Sequence, residues 1–182
     1  SYYVCPATWY VTLSAVGGDD VEVIGPYGAT DTILSRNDVS GAVVSISDSD
    51  VYLEGLTLTG GRGSATGGFS YGGGMLVYRS TSTGPGSATL VDCEVTDNAA
   101  TYGGGIASYG YGDVTFTNTD IYANTASGNG GGVFGQKGAV VCSSGGVYSN
   151  TSTAEGGGLY FTSNSYGTFA STTCDWTGNG PD

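Results

Sequence analysis

Apolar and polar residues alternate along this chain with a period of two, and the phase of the alternation shifts part-way through each stretch. Ala88 and Leu90 are followed by Cys93 and Val95, Val114 and Phe116 by Thr119 and Ile121, and Val140 and Cys142 by Gly145 and Val147. Phe169 and Ser171 precede Cys174 and Trp176 in the same way. A period of two marks a strand with one buried face, and a phase shift without an intervening loop places two strands either side of a bend. Val21–Ile24 and Gly41–Ile46 are likewise strand-length and rich in β-branched residues. No segment carries the 3.6-residue period of an amphipathic helix, so the reading is all-β.

The stretches recur. Glycine triplets stand at Gly72-Gly73-Gly74, Gly103-Gly104-Gly105, Gly130-Gly131-Gly132 and Gly156-Gly157-Gly158, each followed by an apolar residue: Met75, Ile106, Val133 and Leu159. Their spacings are 31, 27 and 26 residues. A second landmark keeps step with the first: Asn98, Asn124, Asn150 and Asn179, spaced 26, 26 and 29 residues, each lie three residues after Val95, Ile121, Val147 and Trp176. With the strand after each triplet, one repeat holds three short strands and three turns. That is one coil of a single-stranded right-handed parallel β-helix, in which successive coils pair backbone to backbone about 4.8 Å apart.

Glycine permits the tight corners, and asparagine both tolerates a left-handed backbone and can bond the asparagine of the next coil, so the four asparagines are expected to form a ladder. A sandwich of Gly-rich hairpins would instead show turns every 8–12 residues. The count comes to about six coils in one domain, 1–182, forming a rod roughly 30 Å long. Residues 1–40 read as an irregular N-terminal coil, with Tyr2–Pro6 and Val21–Pro26 as its strands, and 41–182 as regular coils. Residues 60–71 and 80–87 read as surface loops.

Composition narrows the functional classes. Glycine supplies 35 of 182 residues, and sixteen acidic residues face four basic ones (Arg36, Arg62, Arg79, Lys137), for a net charge of −12. Such a surface argues against nucleic acid or anionic lipid as partners, because holding phosphate requires neutralising it. No run is long enough for a membrane-spanning helix, so membrane insertion is not expected. Ser1 reads as the start of a mature or trimmed product, without a basic-then-apolar leader. Four cysteines, scarce lysine and abundant Ser, Thr, Tyr and Gly suit an extracellular setting.

The Gly-Gly-Gly-aliphatic clusters, together with elements of the Ile121-Tyr122-Ala123-Asn124 type, resemble polymorphic outer-membrane-protein repeats and, more broadly, secreted right-handed β-helix proteins. The resemblance covers about residues 40–180, and Val4–Trp9 and Val51–Gly60 are similar to the first coils of such proteins. The family pattern has alanine in the glycine cluster and phenylalanine three before the asparagine, where this chain has glycine and Val, Ile or Trp. The outer-membrane barrel of many family members is absent from this sequence. The resemblance implies a cell-surface or extracellular location and a role in adhesion or envelope structure, and it names no ligand.

Parallel β-helices also include polysaccharide-cleaving enzymes. Asn118-Thr119-Asp120 matches the first tripeptide of the polygalacturonase signature, but the later elements are missing and Asp19-Asp20 stands upstream, in the wrong order. The chain has no histidine, the commonest proton-transfer residue. No catalytic residue and no enzyme activity is therefore expected. Calcium is the one cofactor considered, because Asp48 with Asp50, and Asp92, Glu94 and Asp97, offer oxygen ligands, although no EF-hand or nonapeptide calcium repeat is present. An ice-binding face would need aligned threonines, and the pairs Thr57/Thr59 and Thr115/Thr117 fall in different columns. Tyr78, Tyr109 and Tyr160 lie near the post-triplet strands in phases that can face outward, as a stripe for sugar rings or a lateral protein contact.

Cys93 and Cys174 share a column but lie three coils apart, about 14 Å, too far for a disulfide. Cys142 and Cys174, on adjacent coils, are the favoured pair. Asn150-Thr151-Ser152 is a glycosylation sequon. Neither terminus offers a capping helix or polar cap. Two readings follow: subunits stack end to end into a filament or surface assembly, or the chain is part of a longer passenger whose coils supply the caps. The functional expectation is an extracellular structural or adhesive solenoid that self-associates, with a glycan-binding adhesin and a calcium-dependent polysaccharide lyase or hydrolase as alternatives.

Overall fold

The computed structural model describes residues 1–18, 20–162 and 168–180. The chain is an all-β parallel solenoid, with no helix among these residues. Three files of strands run its length. The first comprises Tyr2–Tyr3, Asp20–Ile24, Asp50–Glu54, Ser87–Val91, Asp113–Thr117 and the leading parts of Val140–Tyr148 and Phe169–Asp175. The second comprises Ala7–Tyr10, Thr32–Ser35, Thr57–Thr59, Glu94–Thr96, Thr119–Tyr122 and the trailing parts of the same two long strands. The third runs through Leu13–Val16, Val44–Ser47, Met75–Arg79, Ile106–Gly110, Val133–Gly135 and Leu159–Phe161. Pairing along every file is parallel. Six coils carry all three strands, and Phe169–Asp175 opens a seventh.

The columns expected from the repeat hold residue by residue. Ala88, Val114, Val140 and Phe169 pair in sequence, as do Leu90, Phe116, Cys142 and Ser171. Inward residues of the three files, such as Leu53, Leu90 and Phe116 of the first, Leu58, Val95 and Ile121 of the second, and Val44, Met75 and Ile106 of the third, form one buried core. Each such side chain contributes roughly 1.5–3 kcal/mol of burial.

The N-terminal third departs from the expectation. Residues 1–40 are not one irregular coil: Tyr2–Val16 makes a full three-strand coil, and Asp20–Ser35 supplies two strands of the next, which Val44–Ser47 completes. A fourth, two-residue file follows the asparagine corner in the later coils, at Ala99–Ala100, Thr125–Ala126 and Thr151–Ser152. The excursion over 60–71 is not a simple surface loop. It folds into an antiparallel hairpin, Ser64–Thr66 against Phe69–Tyr71, and buries Tyr71.

The asparagine ladder is continuous. The Asn124 side-chain oxygen accepts from the Asn98 backbone N–H (3.0 Å) and from its amide (3.1 Å), and Asn150 does the same for Asn124 and Asn179 for Asn150. Each amide also donates to carbonyls of its own coil and the preceding one: that of Asn124 reaches Tyr122 (2.9 Å) and Val95 (2.8 Å). The residue before each asparagine is left-handed, at Asp97, Ala123, Ser149 and Gly178, which turns the amide into the solenoid.

The glycine triplets are required for reasons that differ by position. Gly72, the first of its triplet, has φ +59°, and a Cβ there would lie 2.0 Å from the Met75 carbonyl oxygen. The third glycine makes room for the ladder. A Cβ on Gly74 would sit 2.9 Å from the Asn98 amide nitrogen, and Gly105, Gly132 and Gly158 stand in the same relation to Asn124, Asn150 and Asn179. One coil earlier the two columns trade places: Val43 occupies the third-glycine position and Gly61 the asparagine position, with the Gly61 Cβ site 3.2 Å from Val43 Cγ2.

Two outcomes follow for stability. Asn124→Ala removes the acceptor of the buried Asn98 backbone N–H and a donor to each of the Val95 and Tyr122 carbonyls, so it should destabilise by about 3 kcal/mol or more in denaturant titration. Gly74→Val and Asn98→Gly should each be costly alone. Made together they recreate the Val43–Gly61 arrangement, and a double-mutant cycle should return a favourable coupling of roughly 1–2 kcal/mol. Strict additivity would contradict the space-sharing account.

Candidate functional site

The inside of the solenoid is packed with buried apolar side chains, and the exposed aromatic and charged side chains stand on the outside of the coils and at their ends. Outward positions of the third file are unusually apolar. Leu76, Ala107, Phe134 and Tyr160 form one outward column. Beside it Tyr78 pairs with Tyr109. The expected stripe is therefore two columns: Tyr78 and Tyr109 stack on each other at 5.9 Å between ring centroids, whereas Tyr160 stacks on Phe134 at 6.1 Å. All three tyrosines are half-buried.

The hairpin explains that partial burial. Tyr71 leans over the third face and meets Tyr109 at 4.6 Å and Tyr102 at 5.2 Å between centroids, and Tyr102 meets Phe134 at 5.2 Å. Together with Ala42, Leu76 and Ala107 these rings make a second apolar cluster, outside the solenoid. Between the hairpin arm and the sheet lies a groove of about 460 Å³, floored by Ser45, Ser47, Leu76, Tyr78 and Tyr109 and walled by Ser64, Ala65 and Thr66.

The second face carries carboxylates beside tyrosines. Glu94 and Asp120 pair across adjacent coils, and Tyr122 pairs with Tyr148, their rings stacked at 5.5 Å and 6°. The Tyr122 hydroxyl donates to Glu94 at 2.9 Å. Burial and the neighbouring Glu94 raise the Asp120 carboxyl above its ordinary range, against the hydrogen bonds it receives from Tyr148 and Gly146. Burial and nearby carboxylates also raise the Tyr122 and Tyr148 phenols.

The remaining acidic candidates serve as local caps. Asp48 accepts from the backbone and hydroxyl of Ser80, and Asp50 from Gly86 N–H and from the backbone and hydroxyl of Ser87. Burial works against the Asp50 charge, but the bonds from Gly86 and Ser87 and the nearby Arg79 hold its carboxyl below the ordinary value. Asp92 accepts from Asn118 at 2.5 Å, and Asp97 lies beside the Thr96 hydroxyl. Among the described residues no three acidic, histidine or cysteine side chains gather to hold a metal ion.

The tripeptide Asn118-Thr119-Asp120 is split by its own corner. Asn118 is left-handed and exposed, while Thr119 is buried with its hydroxyl on the Thr117 carbonyl. Asp20 begins a first-file strand, and Asp19 lies outside the described residues. The threonine pairs fall in separate columns as expected, Thr57 beside Glu94 and Thr115 beside Thr89 and Val141. The sequon is closed to modification in the folded chain, because Asn150 is buried and its amide is committed to the ladder.

Cys142 and Cys174 form a disulfide, with Cα atoms 6.3 Å apart across adjacent coils. Cys5 is exposed and Cys93 buried. Burial pushes the Cys93 thiol up to about 12, and its sulfur lies 3.2 Å from the Val91 carbonyl oxygen. Cys93 therefore packs as a small apolar residue.

The ends of the solenoid form the other candidate surface. In the first coil Tyr2, Tyr3, Trp9, Tyr10 and Val16 are 42–72% exposed. Among them opens an apolar depression of about 390 Å³, which reaches Val4, Val11, Leu13 and Leu34. At the opposite end, among the described residues, Phe169–Asp175 pairs with Val140–Tyr148 alone, and Phe169 packs edge-on against Trp176. The chain matches no protein-family model, no curated protein and no solved structure.

A thiol reagent should titrate one cysteine quickly in the native protein, Cys5, and a second, Cys93, only after denaturation; two fast thiols would overturn the assignment. Reducing the disulfide, which spans 32 residues, should lower stability by about 3–4 kcal/mol on the chain-entropy estimate, read as a drop in Tm.

Proposed function

We propose that this protein is a structural and adhesive β-solenoid of an extracellular or cell-surface assembly, extended end to end by further copies of itself. The observation that carries this reading is the chemistry of the first coil. Among the described residues its strands pair with the second coil alone, and the apolar depression beneath them reaches the end of the hydrophobic core. An open edge with unpaired backbone groups beside uncovered aromatic rings is a template for another parallel coil. The opposite end offers the complementary edge: Phe169–Asp175, with Phe169 exposed, and Asn179, whose amide ends the ladder.

Head-to-tail contact between two different surfaces does not close on itself, so it propagates as a filament. The Cys142–Cys174 disulfide supports an oxidising setting, where such bonds persist. A net charge of −12 keeps the flanks of neighbouring rods apart and favours growth along the axis.

Multi-angle light scattering over a concentration series tests the reading. The mass should rise with concentration, and electron microscopy should show rods whose length exceeds one chain. Tyr3→Lys with Tyr10→Lys, which adds charge to the open edge, should return the protein to the mass of a single chain. An unchanging monomer at every concentration would overturn self-assembly and leave the edge to the coils of a longer chain.

A further inference from the structure

The groove on the third face is a separate feature, on the flank of the solenoid rather than at its ends. It crosses three coils: Ser45 and Ser47 belong to the second, Tyr78 to the third and Tyr109 to the fourth, while the hairpin residue Thr66 forms the facing wall. Three properties of its lining select an occupant.

The first is charge. Sixteen carboxylates are spread over the chain, yet none of the residues lining this groove is charged. An ion would enter without a counter-charge and lose its hydration, so the complementary ligand is neutral. The second is hydrogen-bonding capacity. Among the described residues, the structure gives the hydroxyls of Ser45, Ser47, Thr66, Tyr78 and Tyr109 no partner within the chain, whereas the Ser64 hydroxyl already accepts from Ala42 N–H. Five uncommitted hydroxyls, each both donor and acceptor, suit a ligand that is itself rich in hydroxyls. The third is shape. Tyr78 and Tyr109 are stacked and braced by Tyr71 from the hairpin, so they form a pre-arranged aromatic part of the floor beside Ser45 and Ser47. One apolar flank and one hydroxyl-bearing flank match a pyranose ring, with its C–H face and equatorial hydroxyls.

We infer that this groove is a binding site for a neutral oligosaccharide of about two hexose units, which packs against the exposed surface of the stacked Tyr78–Tyr109 pair and hydrogen-bonds Ser45, Ser47 and Thr66. Acidic sugars such as uronates are excluded, since nothing in the lining neutralises a carboxylate. The site gives substance to the adhesive part of the proposed role and does not depend on end-to-end assembly.

Saturation-transfer NMR on the intact protein, with maltose, cellobiose, lactose, N,N′-diacetylchitobiose and digalacturonate as probes, tests the inference. Transfer is expected to at least one neutral disaccharide and not to digalacturonate. Tyr78→Ala and Tyr109→Ala should weaken it at least roughly tenfold. Ser47→Asp keeps both rings and adds a carboxylate to the floor, so it should also suppress binding. Tyr148→Ala, on the second face, should leave it unchanged. Circular dichroism identifies any variant that fails to fold, and the three groove variants disturb the structure in different ways. Absence of transfer to all four neutral sugars, equal transfer to digalacturonate, or retention of binding in every folded groove variant would overturn the site. A fall in light-scattering mass on Tyr78→Ala would also overturn it, by showing that the groove is a contact between copies; failure of the end-to-end reading would instead appear in the Tyr3→Lys, Tyr10→Lys variant.

Discussion

Coils of a parallel solenoid lie about 4.8 Å apart because backbone hydrogen bonds fix that spacing, and every residue type in the chain must fit it. On the flat faces the constraint is mild, since side chains leave the stacking direction. At the corners the backbone turns, carbonyls and amides of adjacent coils crowd together, and a side chain either participates in the stack or must be absent. The asparagine file participates: one amide oxygen takes two donors of the previous coil, while its nitrogen satisfies carbonyls of that coil and its own. The third glycine of each triplet is the absence that makes this fit, with its Cβ site 2.7–3.0 Å from the amide. Val43 and Gly61 solve the same corner the other way round, with the bulk supplied from the third face. The corner therefore tolerates one bulky partner, and which column provides it is interchangeable between coils.

That constraint explains why so much of the fold was legible in the sequence. Two landmarks under one steric requirement keep the same period, and the phase shift between Leu90 and Cys93, or Phe116 and Thr119, locates the bend between the first two files. Register follows, because a slip of one residue would expose Leu90, Phe116 and Val95. The favoured pairing of Cys142 with Cys174 came from the same columns and is the disulfide observed.

What escaped the sequence reading obeys other rules. The first two coils lack the glycine triplet, and Asn37 at the corner of the second is exposed and takes no part in the ladder, so strands such as Ala7–Tyr10 and Thr32–Ser35 have no paired landmarks and the region reads as one irregular coil. The hairpin at Ser64–Tyr71 was masked by its glycines and serines, which read as a loop. Its effect is long-range: Tyr71 covers residues two coils away, and this turns outward-facing Leu76 and Ala107 into buried ones. Nearness to a triplet groups Tyr160 with Tyr78 and Tyr109, but it stands one position after Leu159 where they stand three after Met75 and Ile106, so it falls in another column. The groove depends on that hairpin, and no periodic signal could have announced it.

A solenoid's coils are stabilised by their neighbours, so stability should fall towards whichever coil has a neighbour on one side only. The two ends meet this condition differently. In the first coil the strands are short and aromatic, and Tyr2, Tyr3, Trp9, Tyr10 and Val16 are exposed. At Phe169–Asp175 the inward positions hold Phe169, Ser171 and Cys174, and six of the seven residues are exposed, so apolar packing contributes little. The disulfide from Cys174 to the fully buried Cys142 ties this strand to the coil beneath by a covalent route, and the last rung of the ladder, Asn179, ties the following corner. The strand Phe169–Asp175 is thus held by bonds that need no burial.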